Sequence, residues 1–195
     1  MSLDFHTLTG AQIAPAIDGL AALRIRVFRD WPYLYEGDPD YERGYLRTYQ
    51  DNPHAIIVAA LKGDRLVGAA TGLPMRDADP DFAAAFEDTA HRLSDIFYCA
   101  ESVLLREHRG QGAGHRFFDR REAHARALGL SHIAFCSVIR PDDHPARPAG
   151  YRALEPFWRK RGYAPLDGVI AQFRWRDLGD DHETAKPLQC WMKRL

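Results

Sequence analysis

Three glycines in five residues, Gly110, Gly112 and Gly114, constrain this chain more than any other part of it. They lie inside Tyr98–Gly129, YCAESVLLREHRGQGAGHRFFDRREAHARALG. Before them, the apolar run Tyr98–Leu105 reads as a strand. Behind them, from Gly112 onward, Phe117, Phe118, Ala123, Ala127 and Leu128 stand among charges as in an amphipathic helix. A glycine turn that feeds a helix N-terminus gathers unpaired N–H groups and the positive end of the helix dipole, so it can hold a phosphate. Glycine also lets an anion approach the backbone closely, because no Cβ intervenes. A plain strand–helix turn needs one glycine. Here three are flanked by Arg106, His108, Arg109, His115 and Arg116, and the stretch reads as a pyrophosphate cradle.

Two familiar phosphate motifs do not fit it. A Walker loop needs GxxxxGK[ST], and neither lysine nor hydroxyl follows Gly114. A dinucleotide fingerprint needs GxGxxG in the first βαβ unit. Here His115 holds the third glycine's place, and the motif lies mid-chain behind a hairpin-like pair of strands.

The remaining elements follow in order. Leu3–Leu8 alternates as a short strand, and Ile13, Ile17, Leu20, Leu23, Val27 and Phe28 set a helix over Ala11–Arg29, stopped at Trp31-Pro32. Asp40–Tyr49 is a short helix with Asp40 as its N-cap. Ala55–Leu61 and Leu66–Gly72 flank Lys62-Gly63-Asp64 as a hairpin. A short helix is expected over Pro80–Arg92, a buried strand over Ser131–Ile139, and a helix over Leu154–Arg161 closed by Gly162. Two last strands, Val169–Trp175 and Leu188–Lys193, end the chain. The fold class is therefore α/β (mixed α+β): one domain over residues 1–195, with a mixed, mostly antiparallel sheet of about six to seven strands flanked by helices. At 195 residues, such a chain buries a self-sufficient core.

Composition removes several classes. A formal net charge of −1 argues against a nucleic-acid binder. Cys99, Cys136 and Cys190 form no CxxC pair, and the nine histidines form no close pair, so no metal site is expected. The N-terminus lacks a signal-peptide pattern and no apolar run reaches membrane-spanning length, so the expected setting is cytoplasmic.

The turn has the form R-x-x-G-x-G (Arg109, Gly112, Gly114) after a strand ending VLLREH, and here Ser102–Gly114 resembles motif A of the GNAT superfamily of acyl-CoA-dependent N-acyltransferases. Phe157-Trp158-Arg159-Lys160-Arg161-Gly162-Tyr163 is similar to that family's later motif, and the order of elements fits from Leu3 to Leu195. The resemblance implies a GNAT-like sheet and an acetyl-CoA cosubstrate. Its pyrophosphate would be gripped by Arg109, Gly110, Gln111, Gly112, Ala113, Gly114 and His115, with Arg116 offering charge. Its pantetheine would pair with the backbone of Ser102, Val103 and Leu104. It also implies acetyl transfer to a primary amine of a small molecule, protein or peptide. The alternative is an acyl-CoA-binding sensor that has lost the chemistry.

A lysine-like amine has a pKa of roughly 10.4 and must lose a proton before it attacks. In several members of the family a carboxylate on the central strand serves as base, directly or through water, and the resemblance implies Glu101 for that role. It reads equally as a strand-end carboxylate paired with an arginine. Tyr98 and Asp95 are weaker candidates on the same strand. Trp158 stands where many members carry a tyrosine that protonates the leaving thiolate. Tyr151 and Tyr163 are nearby, with Tyr163 more a core residue. The loop Tyr33, Tyr35, Glu36, Asp38, Asp40, Tyr41, Glu42 suits a cationic amine, or is a solvated acidic run capping the second helix. The proline-rich segment Arg140–Gly150 is expected as a second wall of the acceptor pocket. Arg120, Arg121 and Arg126 read as a solvated helix face, and Phe117, Phe118 and Trp191 as core. Leu188–Lys193, as a terminal strand, offers an edge for a homodimer.

Overall fold

The computed structural model describes residues 2–195. Its strands are β1 (Asp4–Leu8), β2 (Ile56–Lys62), β3 (Arg65–Pro74), β4 (Ile96–Tyr98), β5 (Ser102–Leu104), β6 (His132–Val138), β7 (Ala164–Trp175) and β8 (Thr184–Arg194). Its helices are α1 (Ile17–Phe28), α2 (Pro39–Asp51), α3 (Pro80–Ala84), α4 (Ala113–Ala127) and α5 (Glu155–Lys160). The sheet runs β1-β2-β3-β4-β6-β8-β7, with β5 also on β3. Every pairing is antiparallel except β4 with β6. That parallel pair needs a crossover, and α4 supplies it.

Both faces of the sheet are covered, and successive residues show it. Ile57, Ala69, Tyr98, Ala134 and Cys136 belong to a core closed by Leu20 and Leu23 of α1 and Leu46 and Tyr49 of α2. Ile56, Val58, Ala70, Phe97, Cys99, Ile133 and Phe135 face Phe117 and Phe118 of α4 instead, with Phe157 and Trp158 of α5 beside them. Neighbouring strand residues thus serve opposite cores, the period-two rule applied to a sheet buried on both sides.

Several boundaries differ from expectation for local reasons. The first helix starts at Ile17 because Pro15 lies in a preceding 3-10 turn, where its missing N–H costs nothing. Asp38, not Asp40, caps α2: its carboxylate accepts from the Tyr41 N–H at 2.7 Å, and Pro39 takes the first helical position. The helix expected to reach Arg92 stops at Ala84, and Thr89 Oγ1 then bonds to Phe86 O (2.8 Å) and accepts from His91 N (3.2 Å), holding turns instead. Leu188–Lys193 lies inside β8, between β6 and β7, so it offers no free edge to a partner; β1 and β7 are the outer strands.

The largest departure gives the sheet its eighth strand. The run Tyr98–Leu105 is not one strand but β4 and β5, separated at Cys99–Glu101. Leu73 faces Tyr98 and Ala70 faces Ser102, so two residues of β3 (Thr71, Gly72) stand opposite three (Cys99, Ala100, Glu101). This is a β-bulge, and it turns the chain from β6 toward β3. Gly72 is required there, because a Cβ would sit 2.4 Å from the Phe97 ring and 3.0 Å from Tyr98 O.

The bulge leaves Thr71 O without a ladder partner and Glu101 O with one only, Thr71 N, and an arginine answers both. Arg121 of α4 is 1% exposed, not on a solvated face. Its Nη1 donates to Thr71 O (3.1 Å) and Glu101 O (2.9 Å), its Nη2 to Ser102 Oγ (2.8 Å) and its Nε to Phe117 O (3.3 Å). Arg121→Met strands the buried Thr71 carbonyl, at a cost of about 1–3 kcal/mol, and takes one donor from Glu101 O, which keeps Thr71 N; it should lower unfolding free energy by roughly 3 kcal/mol. Urea titration at constant m-value measures it; a loss below about 1 kcal/mol would show that the bulge does not need this side chain.

Candidate active site

Past the bulge, β5 and the end of β6 part. Cys99 N bonds Ala134 O at 2.8 Å as the last tie, after which β5 stays with β3 and β6 with β8. Leu105 N bonds Val67 O and Thr71 N bonds Glu101 O, so by strand alternation Val103 gives both its backbone groups to β3. Its side chain is in the core. Ser102 and Leu104 therefore turn their backbone groups to the wedge. Ile139 N bonds Pro187 O, so the same alternation on the β6–β8 ladder turns Cys136 and Val138 toward the wedge from the other side. The result is a cleft with strand backbone on both walls.

The glycine turn lies at the end of β5. Gly110 (φ +77°) and Gly112 (φ +80°) occupy the left-handed region, and a Cβ on either would meet open space. Their glycines serve backbone shape. Gly114 serves packing: its Cβ would lie 3.2 Å from the Phe157 ring of α5. Gly112 is the N-cap of α4, with no side-chain cap hydrogen bond and no acidic residue in the first turn, so no side chain of that turn offsets the positive helix end. Arg109 Nε donates to Leu104 O at 3.1 Å, tying turn to strand. His115 Nδ1 lies 3.0 Å from Arg161 Nη1, in a cluster with Asp119 and Glu122. Gln111 and Arg116 are exposed, and Ala113 is buried.

On the opposite face a cavity of about 370 Å³ opens, and its floor is the bulge: Tyr98, Ala100 and Glu101, with Cys136. One wall is the α1–α2 segment, with Tyr33, Tyr35, Glu36, Tyr41 and Glu42. The other is the end of β7 and the loop after it, with Phe173, Trp175, Asp181 and Glu183. The residues of 140–150 are not among those lining it; that loop packs instead around Trp31, whose ring is 5.0 Å from His144.

Glu101 is buried and its carboxylate is engaged. One oxygen forms an ion pair with Arg24, which also pairs with Glu42; the other accepts from Tyr45 Oη at 3.0 Å. Tyr45 Oη is 2.7 Å from Tyr49 Oη, and the Arg24 guanidinium lies 4.3 Å from the Tyr45 ring centroid. Burial disfavours the Arg24 charge, but Glu101 and Glu42 outweigh it and push its pKa up. Burial, then the Glu101 charge, push the Tyr45 phenol well above its ordinary value, so it donates and does not ionise. The structure thus makes Glu101 both arginine-paired and cavity-lining. Asp95 lies in a 3-10 turn, where it accepts from Ser94 Oγ. Trp158 packs on Phe135 (4.9 Å) and Trp191 (5.2 Å), Tyr163 donates to Glu122 Oε1 (3.0 Å), and Tyr151 stacks edge-on with Trp31 (6.0 Å). None of these four lines the cavity. Arg24, Tyr45, Phe82, Phe173 and Trp175 do, and sequence reading had not singled them out. The one available signal was the alternation Phe173–Trp175.

The two cavity walls are tied at Asp177. Arg140 donates to it twice, at 2.7 and 2.9 Å, and Lys186 Nζ is 3.3 Å away. No group of three or more His, Cys, Asp or Glu suited to a metal ion occurs among the described residues. No described helix is long and apolar enough to cross a membrane.

The fold is that of acetyltransferases of known structure. A ribosomal-protein-alanine N-acetyltransferase from Brucella melitensis superposes with a TM-score of 0.62 at 14% identity, covering 98% of this chain and 99% of that one. The PaiA N-acetyltransferase from Thermoplasma acidophilum, in complex with coenzyme A, gives 0.57 at 12% identity over the whole of both chains. The structure of yncA from Salmonella typhimurium with its cofactor acetyl-CoA gives 0.62 at 12% identity, covering 100% and 95%. No curated protein matches the chain in sequence. The family model for the acetyltransferase (GNAT) family matches residues 22–163, and the chain belongs to that family.

Burial alone would raise the Asp177 carboxyl, but hydrogen bonds and charge from Arg140, then Lys186, hold it below its usual value. A depressed carboxylate stabilises the fold above the unfolded pKa of about 3.9 and loses that contribution as pH falls through the folded value. Asp177→Asn should therefore be less stable than wild type at pH 7, with the difference shrinking below about pH 4. Urea midpoints across pH measure this; a difference that stays constant would mean the charge contributes nothing.

Proposed function

We propose that this chain is an acetyl-CoA-dependent N-acetyltransferase that hands an acetyl group to a primary amine by direct attack in a ternary complex. The observation that carries this is a junction: a backbone-lined wedge and an acid- and aromatic-lined cavity meet at one bulge, Ala100–Glu101. Coenzyme A suits the first. Gly110–His115 and the uncapped end of α4 would take its pyrophosphate, with Arg109 and Arg116 near. Ser102 and Leu104 would pair with the amide-bearing pantetheine. Val103 takes part only by holding β5 to β3.

An organic ammonium suits the second. Tyr33, Tyr35, Tyr41 and Trp175 offer ring faces, and Glu36, Asp38, Asp181 and Glu183 set an acidic rim. The amine must shed a proton, its lone pair attacks the thioester carbonyl, and the C–S bond breaks to release thiolate. A thiol pKa of roughly 8.5 makes that departure easy without a tyrosine in the place of Trp158. Glu101 is the cavity carboxylate on the split strand, and we assign it the amine's proton, with Arg24 and Tyr45 fixing its direction. A backbone N–H on the wedge wall would polarise the carbonyl, an effect commonly worth about 3 kcal/mol. The setting we favour is cytoplasmic: three cysteines, odd in number and far apart in sequence, do not have the spacing of a disulfide framework. A net charge of −1 suits neither nucleic acid nor an acidic surface as partner.

A CoA-binding sensor without chemistry is the second reading, favoured by the sequestered Trp158. A CoA-release assay over a panel of small primary amines separates the two; saturable acetyl-CoA binding with no turnover on any amine selects the sensor. Glu101→Gln keeps the shape and leaves Arg24 paired with Glu42, and it should lower kcat about 100-fold with acetyl-CoA affinity unchanged. Unchanged kcat/KM would remove Glu101 from the mechanism. Gly112→Val forces a β-branched residue into the left-handed region, at a cost of about 1–2 kcal/mol, and should weaken acetyl-CoA binding more than amine binding. Calorimetric titration with acetyl-CoA tests it, and wild-type affinity would place the pyrophosphate elsewhere.

A further inference from the structure

Each wall of the acceptor cavity is a loop, and the two come from distant parts of the chain. Their shape depends on what holds one to the other. The backbone contributes Glu36 N to Arg176 O (2.9 Å) and Leu178 N to Leu34 O (2.7 Å), and the Trp175 indole donates to Tyr33 O (3.0 Å). At the centre stands Arg140, just past the end of β6. Its Nε donates to Pro32 O (2.9 Å) and its Nη2 to Tyr33 O (2.8 Å), while both terminal nitrogens grip Asp177. Lys186 approaches Asp177 from behind and donates to Trp175 O (2.8 Å). One guanidinium therefore joins three chain segments: the α1–α2 loop, the end of β6 and the β7–β8 loop.

Its fork is bidentate and mostly shielded from solvent, with side-chain exposures of 10% for Arg140 and 17% for Asp177, so it escapes the weakness of ordinary surface pairs. Neither residue lines the cavity. What they touch does: Tyr33 and Trp175, whose rings stand 6.0 Å apart across the joint.

We infer that Arg140 and Asp177 are positioning residues for the acceptor, a clamp that preforms the aromatic end of its pocket. This rests on the acetyltransferase proposal above and deepens it. Without the fork, the two walls separate and Tyr33 and Trp175 lose their fixed spacing. The amine must then order them on binding, so its affinity falls. The donor side does not change, because Ile139 N bonds Pro187 O and holds the end of β6 on β8 without help from Arg140. A residue that only stabilised the fold would lower activity toward both substrates alike.

The experiment compares wild type with Arg140→Met, Asp177→Asn, their double variant and Arg140→Lys. Kinetics use the best amine from the small-amine panel. The expected result for Arg140→Met is an amine KM raised about 10-fold, with acetyl-CoA KM and kcat within about 2-fold of wild type. The double variant should be no worse than Arg140→Met alone, because one interaction is removed either way. Arg140→Lys, which keeps the charge but not the fork, should fall between. Trypsin should cut faster after Arg174 and Arg176, on the loosened wall. An unchanged amine KM, or equal rises in both KM values, would overturn the clamp. Should Arg140→Met not fold, Asp177→Asn carries the same comparison. If wild type turns over no amine, the acetyl-transfer proposal fails and the acceptor role falls with it; trypsin still decides whether Arg140 fastens the two walls, with unchanged cleavage overturning that fastening and faster cleavage upholding it.

Discussion

Arg121 directs three hydrogen bonds to oxygen atoms around one irregularity in the sheet, and the proposed site depends on that irregularity. A regular strand from Tyr98 to Leu105 would stay paired with β3 on one side and β6 on the other. Such a sheet would have no wedge and no groups turned outward on Ser102, Leu104, Cys136 or Val138. The extra residue in Cys99–Glu101 breaks the pairing, but a break in a buried sheet leaves a carbonyl, here Thr71 O, that neither water nor the ladder satisfies. A guanidinium is well suited to fill the gap, since it has several donors in one plane and stays charged when buried. The cost is a buried cation. Its proximity to several carbonyl dipoles and to the Phe118 ring, 4.9 Å from its centre, offsets that cost.

A second buried charge system, Arg24 with Glu42 and Glu101, lies on the other face of the same bulge. Apolar residues of equal volume would often stabilise a core as well or better, because desolvation takes back most of the attraction between buried ions. Stability alone is therefore a weak reason for these residues. Their arrangement fits a directional one: Arg24 and Tyr45 approach different oxygens of Glu101, so its carboxylate is oriented before any acceptor arrives. Orientation set in advance is how a fixed polar environment helps a reaction without reorganising during it.

What was legible in the sequence was governed by neighbours along the chain. The hairpin Ile56–Pro74, the end of α5 at Gly162 and the strand–glycine–helix junction each follow from residues within a few positions of one another. The caps were nearly so, with Asp38 taking the place expected of Asp40. What escaped was set by distance. Arg121 sits on a helix with Arg120 and Arg126 beside it, and nothing local says that one of the three is buried against a carbonyl fifty residues earlier in the chain. The bulge is equally silent, since YCAESVLL alternates no worse than a continuous strand does. β8 looked like an edge because it is last in sequence, yet β7 lies outside it. The second cavity wall comes from the β7–β8 loop rather than from the proline-rich one, because it is the loop that bridges to Tyr35 through Asp177.

The sheet separates the two substrates of the proposed reaction by face as well as by strand. The donor features belong to α4 and β5, and the acceptor features to α1, α2 and the β7–β8 hairpin. A sheet buried on both sides normally isolates its two cores. Here the isolation fails at one place, because Glu101 has its carbonyl held by Arg121 of α4 and its carboxylate held by Arg24 of α1. One residue is thus gripped from both layers. A shift of either helix would move the same peptide, so in the proposed reaction the spacing between thioester and amine would be set by how α1 and α4 pack on one sheet and not by either loop system. Loops can then vary to choose the acceptor while the reacting geometry stays put, provided that something such as Arg140 fastens each new wall to its neighbour.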